Sequence, residues 1–552
     1  MTHTDNIDAN HAQKLVASLV SPEKQFFKLA IVYGLAISLL TLAIPIAVQT
    51  LINTVVNIAS MRAVVTLSIL LLVTLTISGL LSALRTYVME KYERHIYARL
   101  TAEISVRTLM SDYSFFEGRR NVDVPNRYFD INTFQKNIPT LMIDGFALLL
   151  QLVVGFTLVS FYHPFFTAFC LILVLVLFLI WTVWARPAIR AAVKLSHAKY
   201  ATAKWLSDMA AAHSFFRTGR HIEYAQTKTE DNTREYIHAH RNHFKYTFRQ
   251  TVALLVFYAL ASSSLLGLGG YLVVIGELSI GQLVAAELIL TAIFFGLSKA
   301  SNYLKLYYEL CGAADELSII YNMPTQNSMQ LSESKIPVNS ELVFKNVELS
   351  NSNNNEKYAL NFTLESGSKL YMYTSCAWLQ RSFISMLKFY SSPPRGQIRL
   401  GQQDLSEYRT QQLNNPPIRV INKAPIIECS IKEFMVLNEP STSVAQIQDA
   451  IERVGLQNVI NQFPNGIDTL LSPLGAPFQP HEFLLLKLAA VLVCDPKVVI
   501  LTQYFDNLPT LELKKLLGNL SEEPFTVLYF TNHPQIEAFD QCLCLDWLKE
   551  GN

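Results

Sequence analysis

Six long runs of apolar side chains constrain this chain more than anything else in it. They cover Ala30–Leu51, Ala63–Leu84, Thr140–Phe161, Phe165–Trp184, Val252–Ile275 and Leu278–Leu297. Each is long enough to cross a bilayer core as one helix, which takes about 20 residues. The run FCLILVLVLFLIWTVW (169–184) has no polar face, and a helix on the surface of a soluble domain needs one. The reading is six membrane spans, with Pro45 kinking the first. The apolar excess of the chain, 51% hydrophobic residues against 16% charged, lies mainly in this part.

The connections are unequal, and their charges orient the chain. FYHPF (161–165) and GELSI (276–280) are short and carry no arginine or lysine. Segments 85–139 and 185–251 are long and basic, with Arg85, Lys91, Arg94 and Arg99 in one and Arg186, Arg190, Lys194 and Lys199 in the other. Basic loops stay in the cytoplasm. Both termini and both long segments are therefore expected there, in a multi-pass protein of the inner (plasma) membrane in contact with membrane lipids. Few glycines or prolines interrupt the long segments, so they read as helical extensions of the spans. HAQKLVASLV (11–20) is amphipathic and fits a helix lying on the inner surface. The first residues, MTHTDNIDANHAQKLVASLV, lack a basic region followed by an apolar core, so no cleaved signal peptide is expected.

The chain thus divides into an amphipathic N-terminal segment (1–25), a six-helix membrane domain (26–321), a polar linker with two prolines (322–340) and a C-terminal domain (341–552). In the last, ELVFKNVEL and NFTLESGSKLYMY read as strands around a glycine turn. QIQDAIERVGLQNVI reads as a helix, and VVIL and FTVLYF as buried strands, the alternation of an α/β domain. The net charge of +1 gives no reason to expect nucleic acid. Seven cysteines show no metal-ligand spacing and read as reduced thiols, with no metal site. Charges inside spans are costly. Glu287 is a substrate or proton site, or else a structural pair or dimer contact. Asp144, near the start of the third span, reads as solvated, and His163 as a plain loop residue.

Six spans with two long cytosolic extensions, followed by one α/β domain, resemble a half-transporter of the ATP-binding cassette (ABC) exporter family. PPRGQIRLGQQDLSEY, FPNGIDTLL (463–471), DPKVVIL (495–501) and FTVLYFTNH followed by CLCLDWLKEG stand in the family's order. SFFEGRRNVDVPNRYFD and SFFRTGRHIEYAQTK lie where the family has its coupling segments, so Phe115, Phe116, Phe215 and Phe216 are expected to pack against the cassette. The resemblance implies an α-helical six-span membrane domain of ABC exporter type followed by an α/β, P-loop-like cassette domain. It also implies a homodimer, or a heterodimer with another ABC half-transporter, and by analogy a periplasmic adaptor protein as partner.

Aligned on that pattern, the residues for nucleotide chemistry are replaced. The phosphate loop, G-x-x-G-x-G-K-[ST]-[ST], cradles phosphate in backbone N–H groups that glycines let turn inward, and a lysine adds charge. Its glycines fall here at Thr374, Ala377 and Leu379 and its lysine at Gln380, followed by Arg381 and Ser382. Thr374 and Leu379 resist positive φ, Leu379 fills the space a phosphate approaches, and Ser382 alone is left to meet magnesium. The acidic pair that would hold magnesium and polarise water is Thr502-Gln503. The signature L-S-G-G-Q is Phe478-Gln479-Pro480-His481-Glu482, where Pro480 lacks a donor for the γ-phosphate. The glutamine linking nucleotide to membrane domain is Lys423. The histidine near the γ-phosphate is Asn532, with His533 one position on, and the adenine-stacking aromatic is Asn351.

The expectation is a degenerate nucleotide-binding domain with no catalytic residues, no bound ATP or magnesium and no ATPase activity. The chain then acts as a dimeric export component. The alternative is a non-transporting membrane scaffold or regulator of an active export complex, and a third reading is an ATP-driven exporter. The orientation is directly testable. Single cysteines at Tyr162 and Gly276 should react with a membrane-impermeant maleimide on intact cells. Cysteines at Arg217 and within 341–552 should react only after permeabilisation, and outside labelling of the C-terminal region would reverse the topology.

Overall fold

The computed structural model describes residues 9–41, 43–57, 61–116, 124–325, 339–350, 357–405, 416–532, 538–539 and 541–548. The chain divides into two compact units, the first of Met1–Ser111 and Phe115–Thr325, the second of Gln326–Asn552 with the short stretch Asp112–Ser114, where the helix Tyr113–Phe116 begins. Most of the expected linker (322–340) lies outside the described residues.

The first unit is helical. Its helices are α1 (Ala9–Val20), α2 (Lys24–Thr41), α3 (Ala43–Asn57), α4 (Met61–Leu109), α5 (Tyr113–Phe116), α6 (Ile131–Pro139), α7 (Phe146–Ser160), α8 (Pro164–Ala211), α9 (Gly219–Val274) and α10 (Ile280–Tyr321). A bilayer core has no water to satisfy backbone N–H and C=O groups, so each span must be a helix. Four helices far outrun the membrane: α4, α8, α9 and α10 hold 49, 48, 56 and 42 residues, roughly 60–85 Å at about 1.5 Å per residue. Helical stretches 64–109, 124–160, 164–211 and 219–274 are long and apolar enough to cross a membrane. The other two expected spans fall on α2 with α3 and on α10, where some side chains lie outside the described residues. Pro45 sits in the first turn of α3.

Beyond the spans the helices build a common core. Tyr92, Ile96 and Leu100 of α4 recur at one-turn spacing and meet Phe134 of α6, Ile189 and Val193 of α8, and Tyr308 and Leu317 of α10, all 0% exposed. Ala12, Val16 and Leu19 of α1 join the same core. The apolar stripe of α1 is therefore covered by protein, not by the membrane surface alone. Within this core Glu316 of α10, whose side chain is 1% exposed, pairs with Arg127 at 2.7 Å and lies 3.8 Å from the His197 ring. Burial holds the Glu316 carboxyl up, while Arg127 and His197 pull it back.

Two readings of polar residues near the spans are corrected. Asp144 is not left to solvent. It lies in a π-helical turn, Thr140–Gly145, and pairs with Arg85 of α4 at 3.3 Å, so each charge offsets the other at the membrane edge. His163 is more than a loop residue. Its Nδ1 accepts from the Phe165 N–H at 3.2 Å, capping α8, and its Nε2 lies 3.2 Å from Glu277. Glu287 accepts the Ser262 and Thr291 hydroxyls at 3.2 and 3.4 Å through one oxygen, and its other oxygen is buried without a hydrogen-bond partner among the described residues.

The second unit is α/β. Its strands are β1 (Leu342–Ser350), β2 (Lys357–Leu364), β3 (Lys369–Tyr373), β4 (Arg395–Leu400), β5 (Gln403–Asp404), β6 (Ile418–Ile421), β7 (Cys429–Ser430), β8 (Leu470–Leu471), β9 (Val498–Leu501), β10 (Thr526–Phe530) and β11 (Gln541–Cys544). Its helices are α11 (Ala377–Leu387), α12 (Ile431–Asn438), α13 (Val444–Arg453), α14 (Gln457–Ile460), α15 (Pro480–Leu492) and α16 (Thr510–Ser521). An antiparallel sheet runs β2-β1-β4-β5, a parallel sheet runs β11-β3-β10-β9-β6, and β7 pairs with β8. Alternation along the parallel strands serves two cores. Met372, Ile500 and Phe530 face α11 and the antiparallel sheet, whereas Tyr371, Leu501 and Tyr529 face α13, α15 and α16. Burial on both faces explains why VVIL and TVLYF read as continuous apolar runs.

The Glu316 pair yields a stability prediction. Arg127→Met leaves a buried carboxylate without its main partner and should destabilise the helical unit by about 3–5 kcal/mol, while Arg127→Met with Glu316→Met should recover most of that. Thermal unfolding of both variants in detergent checks it, and equal melting temperatures for the single and double variants would refute it.

Candidate functional site

A parallel sheet brings the carboxyl ends of all its strands to one edge, and ligands of such sheets bind in the crevice beyond that edge. Here this edge gathers Thr374 after β3, Asn422 and Lys423 after β6, Thr502 after β9, Asn532 after β10 and Asp546 after β11. Positions scattered over more than a hundred residues of sequence become neighbours for that reason alone.

The turn from β3 to α11 is short. Only Thr374, Ser375 and Cys376 separate the strand from the helix, and α11 already begins at Ala377. The Leu379 and Gln380 N–H groups both donate to the Cys376 carbonyl, at 3.0 and 3.3 Å. The expectation that Leu379 strains a glycine-type loop and fills its phosphate space is corrected. Leu379 is a helical residue, 0% exposed, packed beside Phe383 and Met386 in the core under the sheet. Gln380 is buried next to it, Arg381 is exposed with its Nε donating to the Ala377 carbonyl at 3.3 Å, and Ser382 is half-buried. Trp378 stands edge-on to Tyr358, with ring centroids 5.6 Å apart.

What remains of the turn is held by a carboxylate. Asp546 accepts the Thr374 hydroxyl at 2.7 Å and the Ser375 N–H at 2.8 Å, and the Thr374 hydroxyl oxygen accepts the Cys376 N–H at 3.1 Å. Partial burial disfavours the charged form of Asp546, but the hydrogen bonds from Thr374 and Ser375 outweigh it and hold the carboxyl below its usual range.

The other aligned positions divide between buried and exposed. Thr502 is buried and donates to the Ile421 carbonyl at 2.8 Å, while Gln503 opens a 3-10 turn, Gln503–Asn507. That turn carries Asp506, which accepts the Thr531 hydroxyl at 2.8 Å, the Asn532 N–H at 2.9 Å and the Tyr529 hydroxyl. Lys423 is exposed, its ammonium 5.9 Å from the Tyr504 ring centroid. Below it the buried Lys487 of α15 donates to the carbonyls of Asn422, at 2.9 Å, and Ala424. Burial, with Lys388 nearby, pushes the Lys487 amine down to about 8. In the signature stretch Phe478 is a core residue edge-on to Phe463 at 5.0 Å, and Pro480 is the first residue of α15. Glu482 reaches back to accept the Gln479 N–H at 2.7 Å, and His481 is half-buried between them in sequence. Asn351 and His533 lie outside the described residues.

Asp546 and Asp506 escaped the sequence reading because neither belongs to a local pattern. Asp546 acts on residues 171 and 172 positions away, and the only signal was an acidic residue directly after the apolar strand CLCL. The coupling phenylalanines divide. Phe115 and Phe116 lie edge-to-face at 5.1 Å and pack against the core of the helical unit itself. Phe215 is 58% exposed and stacks on His221 at 4.1 Å, with Phe216 edge-on to Trp205. Among the described residues no three His, Cys, Asp or Glu side chains gather as metal ligands.

Comparison with known proteins agrees with this architecture. Residues 27–298 match the family model of the ABC transporter transmembrane region. The chain is 20% identical over 498 residues to the exotoxin translocation ATP-binding protein of Pasteurella aerogenes, covering 88% of this chain and 68% of that protein. It is 20% identical over 486 residues to the leukotoxin translocation ATP-binding protein of Mannheimia glucosida, covering 86% and 68%. A bacterial Atm1-family ABC exporter solved with ATP bound superposes with a TM-score of 0.81 at 15% identity, over 96% of this chain and 94% of that one. The fold is a helical membrane domain of ABC exporter type followed by an α/β domain.

The carboxylate contacts can be tested through stability. Asp546→Ala removes the acceptor of two hydrogen bonds at the β3–α11 turn and should destabilise the α/β unit by about 1–2 kcal/mol. Asp546→Asn, which keeps an acceptor, should cost less. Denaturant unfolding of the full chain followed by Trp378 fluorescence, with the other four tryptophans replaced, compares them; equal losses would disprove the acceptor role.

Proposed function

We propose that this chain is the membrane subunit of an exporter, working as a dimer with both termini in the cytoplasm, and that its α/β unit neither binds nor hydrolyses ATP. The observation that carries the second half is the β3–α11 turn. A nucleoside triphosphate needs inward-facing N–H groups and a cation at this place, whereas here the helix starts at Ala377 and Gln380 stands in the lysine position. The Ser375 N–H and the Thr374 hydroxyl are already bonded to Asp546. An incoming phosphate would have to displace a carboxylate held below its usual range, with no lysine to offset its own charge. The magnesium and water-activating positions, Thr502 and Gln503, carry no charge, and Thr502 is committed to the Ile421 carbonyl. The residues present do not fit ATP with magnesium.

Export is supported by the matched membrane domain and by relatives named for toxin translocation. A dimer is supported by the far end of the α8–α9 hairpin, where Leu206, Phe215, Ile222 and Tyr224 are all exposed on one chain. An apolar tip of this kind is normally covered by a partner. Power for transport would then come from intact cassettes elsewhere in the assembly, because the phosphate loop and the signature of this chain are both replaced.

Isothermal titration calorimetry of the purified full chain tests the reading. No saturable Mg-ATP binding is expected up to millimolar concentration, and a micromolar dissociation constant would overturn it. Gln380→Lys alone should not restore binding, because Leu379 is locked in the core and the helix still begins at Ala377.

A further inference from the structure

The start of α8 is capped by a side chain that can change charge. Three other helices begin on a serine hydroxyl: Ser279 accepts the Gln282 N–H of α10 at 3.1 Å, and Ser430 and Ser443 do the same for α12 and α13. α8 begins instead on an imidazole. Pro164 at its first position has no N–H to place, the Phe166 N–H donates to the His163 carbonyl at 2.9 Å, and the Phe165 N–H donates to His163 Nδ1 at 3.2 Å. A ring nitrogen that accepts carries no proton, so the neutral ring holds its proton on Nε2. That nitrogen lies 3.2 Å from the Glu277 carboxylate, on the connection between α9 and α10. A serine hydroxyl keeps its acceptor at every pH, whereas imidazoles change charge between about pH 5 and 8.

From this we propose that His163 is a proton-operated joint between the start of α8 and the α9–α10 connection. In the neutral ring both contacts stand together. A proton taken up at Nδ1 turns the acceptor into a donor facing the Phe165 N–H, so the cap is lost, while the contact with Glu277 becomes a pair of full charges. The positive end of the α8 dipole opposes that proton and Glu277 favours it. Among the described residues Glu277 is the one charged side chain within ion-pair distance of the ring. Its neighbours Gly276, Leu278 and Ser279 are uncharged, as is Gln49 of α3, which accepts the Tyr162 hydroxyl at 2.7 Å. Burial pushes that hydroxyl further up, so Tyr162 stays neutral. The side chains of His163 and Glu277 are 24% and 56% exposed, so protons reach both. Acid therefore frees the first turn of α8 and leaves its tie to Glu277 in place. With both termini in the cytoplasm the joint faces outside; the side rests on the proposed orientation, the joint does not.

Amide hydrogen exchange of the full chain in lipid nanodiscs tests the joint, read at single residues and expressed as protection factors, which remove the intrinsic effect of pH. From about pH 8 to about pH 5, the protection of Phe165 should fall about fivefold, the worth of one cap contact. Gln282, under the serine cap of α10, should keep its protection. In His163→Asn, which caps without titrating, the change at Phe165 should be about onefold. Unchanged protection of Phe165 in wild type overturns the proposal, as does an equal fall in His163→Asn. Where the variant fails to fold, Gln282 of the wild type is the control, and an equal fall at both helix starts overturns the proposal.

Discussion

Every backbone N–H and C=O taken out of water must find a partner, and both units of this chain are shaped by that requirement. In the membrane the only partner is the chain itself, so the spans are helices, and α4, α8, α9 and α10 continue unbroken past the bilayer. In the α/β unit the same requirement falls on the turns at the sheet's carboxyl edge, where helix starts leave N–H groups without carbonyls. Three carboxylates meet it: Asp546 at the β3–α11 turn, Asp506 beyond β10 and Glu482 at the start of α15. Anions bind well at such places, and here the anions are side chains. The strand–turn–helix frame is therefore held by the chain's own side chains.

The spans were legible because twenty apolar residues in a row admit few other structures, and the extensions because few glycines or prolines interrupt the segments that follow them. The parallel strands were legible because burial on both faces leaves nothing but apolar residues in VVIL and FTVLYF. Pairings across the fold were not. Asp144 looks solvated in sequence because Arg85 is a whole helix away, and His163 looks like a loop residue because Glu277 lies on another connection. The phosphate-loop alignment misjudged what Leu379 does. Alignment carries over positions in a loop, and it cannot show that the helix already begins at Ala377 or that Leu379 packs in the core. Of Glu287, sequence left a substrate or proton site open against a structural pair or dimer contact; the structure adds a hydroxyl pair on one oxygen and no partner among the described residues on the other.

Burial decides the character of the interior charges as much as pairing does. The Arg127–Glu316 and Lys199–Asp130 pairs, both at 2.7 Å, join the 3-10 turn Val124–Asp130 to α10 and to α8 in turn. Lys487 holds the segment after β6 by its carbonyls instead of by a carboxylate. Such contacts contribute modestly to stability when intact and cost much more when halved. Their value here is geometric: each names one partner and one register for an element that apolar packing alone would let slide.

The 56 residues of α9 form one rod of roughly 84 Å. Rods of this kind turn small rotations into large strokes. A tilt of about 5° pivoting within the bilayer would sweep the Gly219 end through roughly 5 Å, given about 55 Å of helix beyond the pivot. α8 runs beside it and meets it in the hairpin His213–Phe215, so the two would swing as a braced pair, stiffer than either alone. A chain built this way is a lever, and a small displacement at one end of the pair becomes a large one at the other.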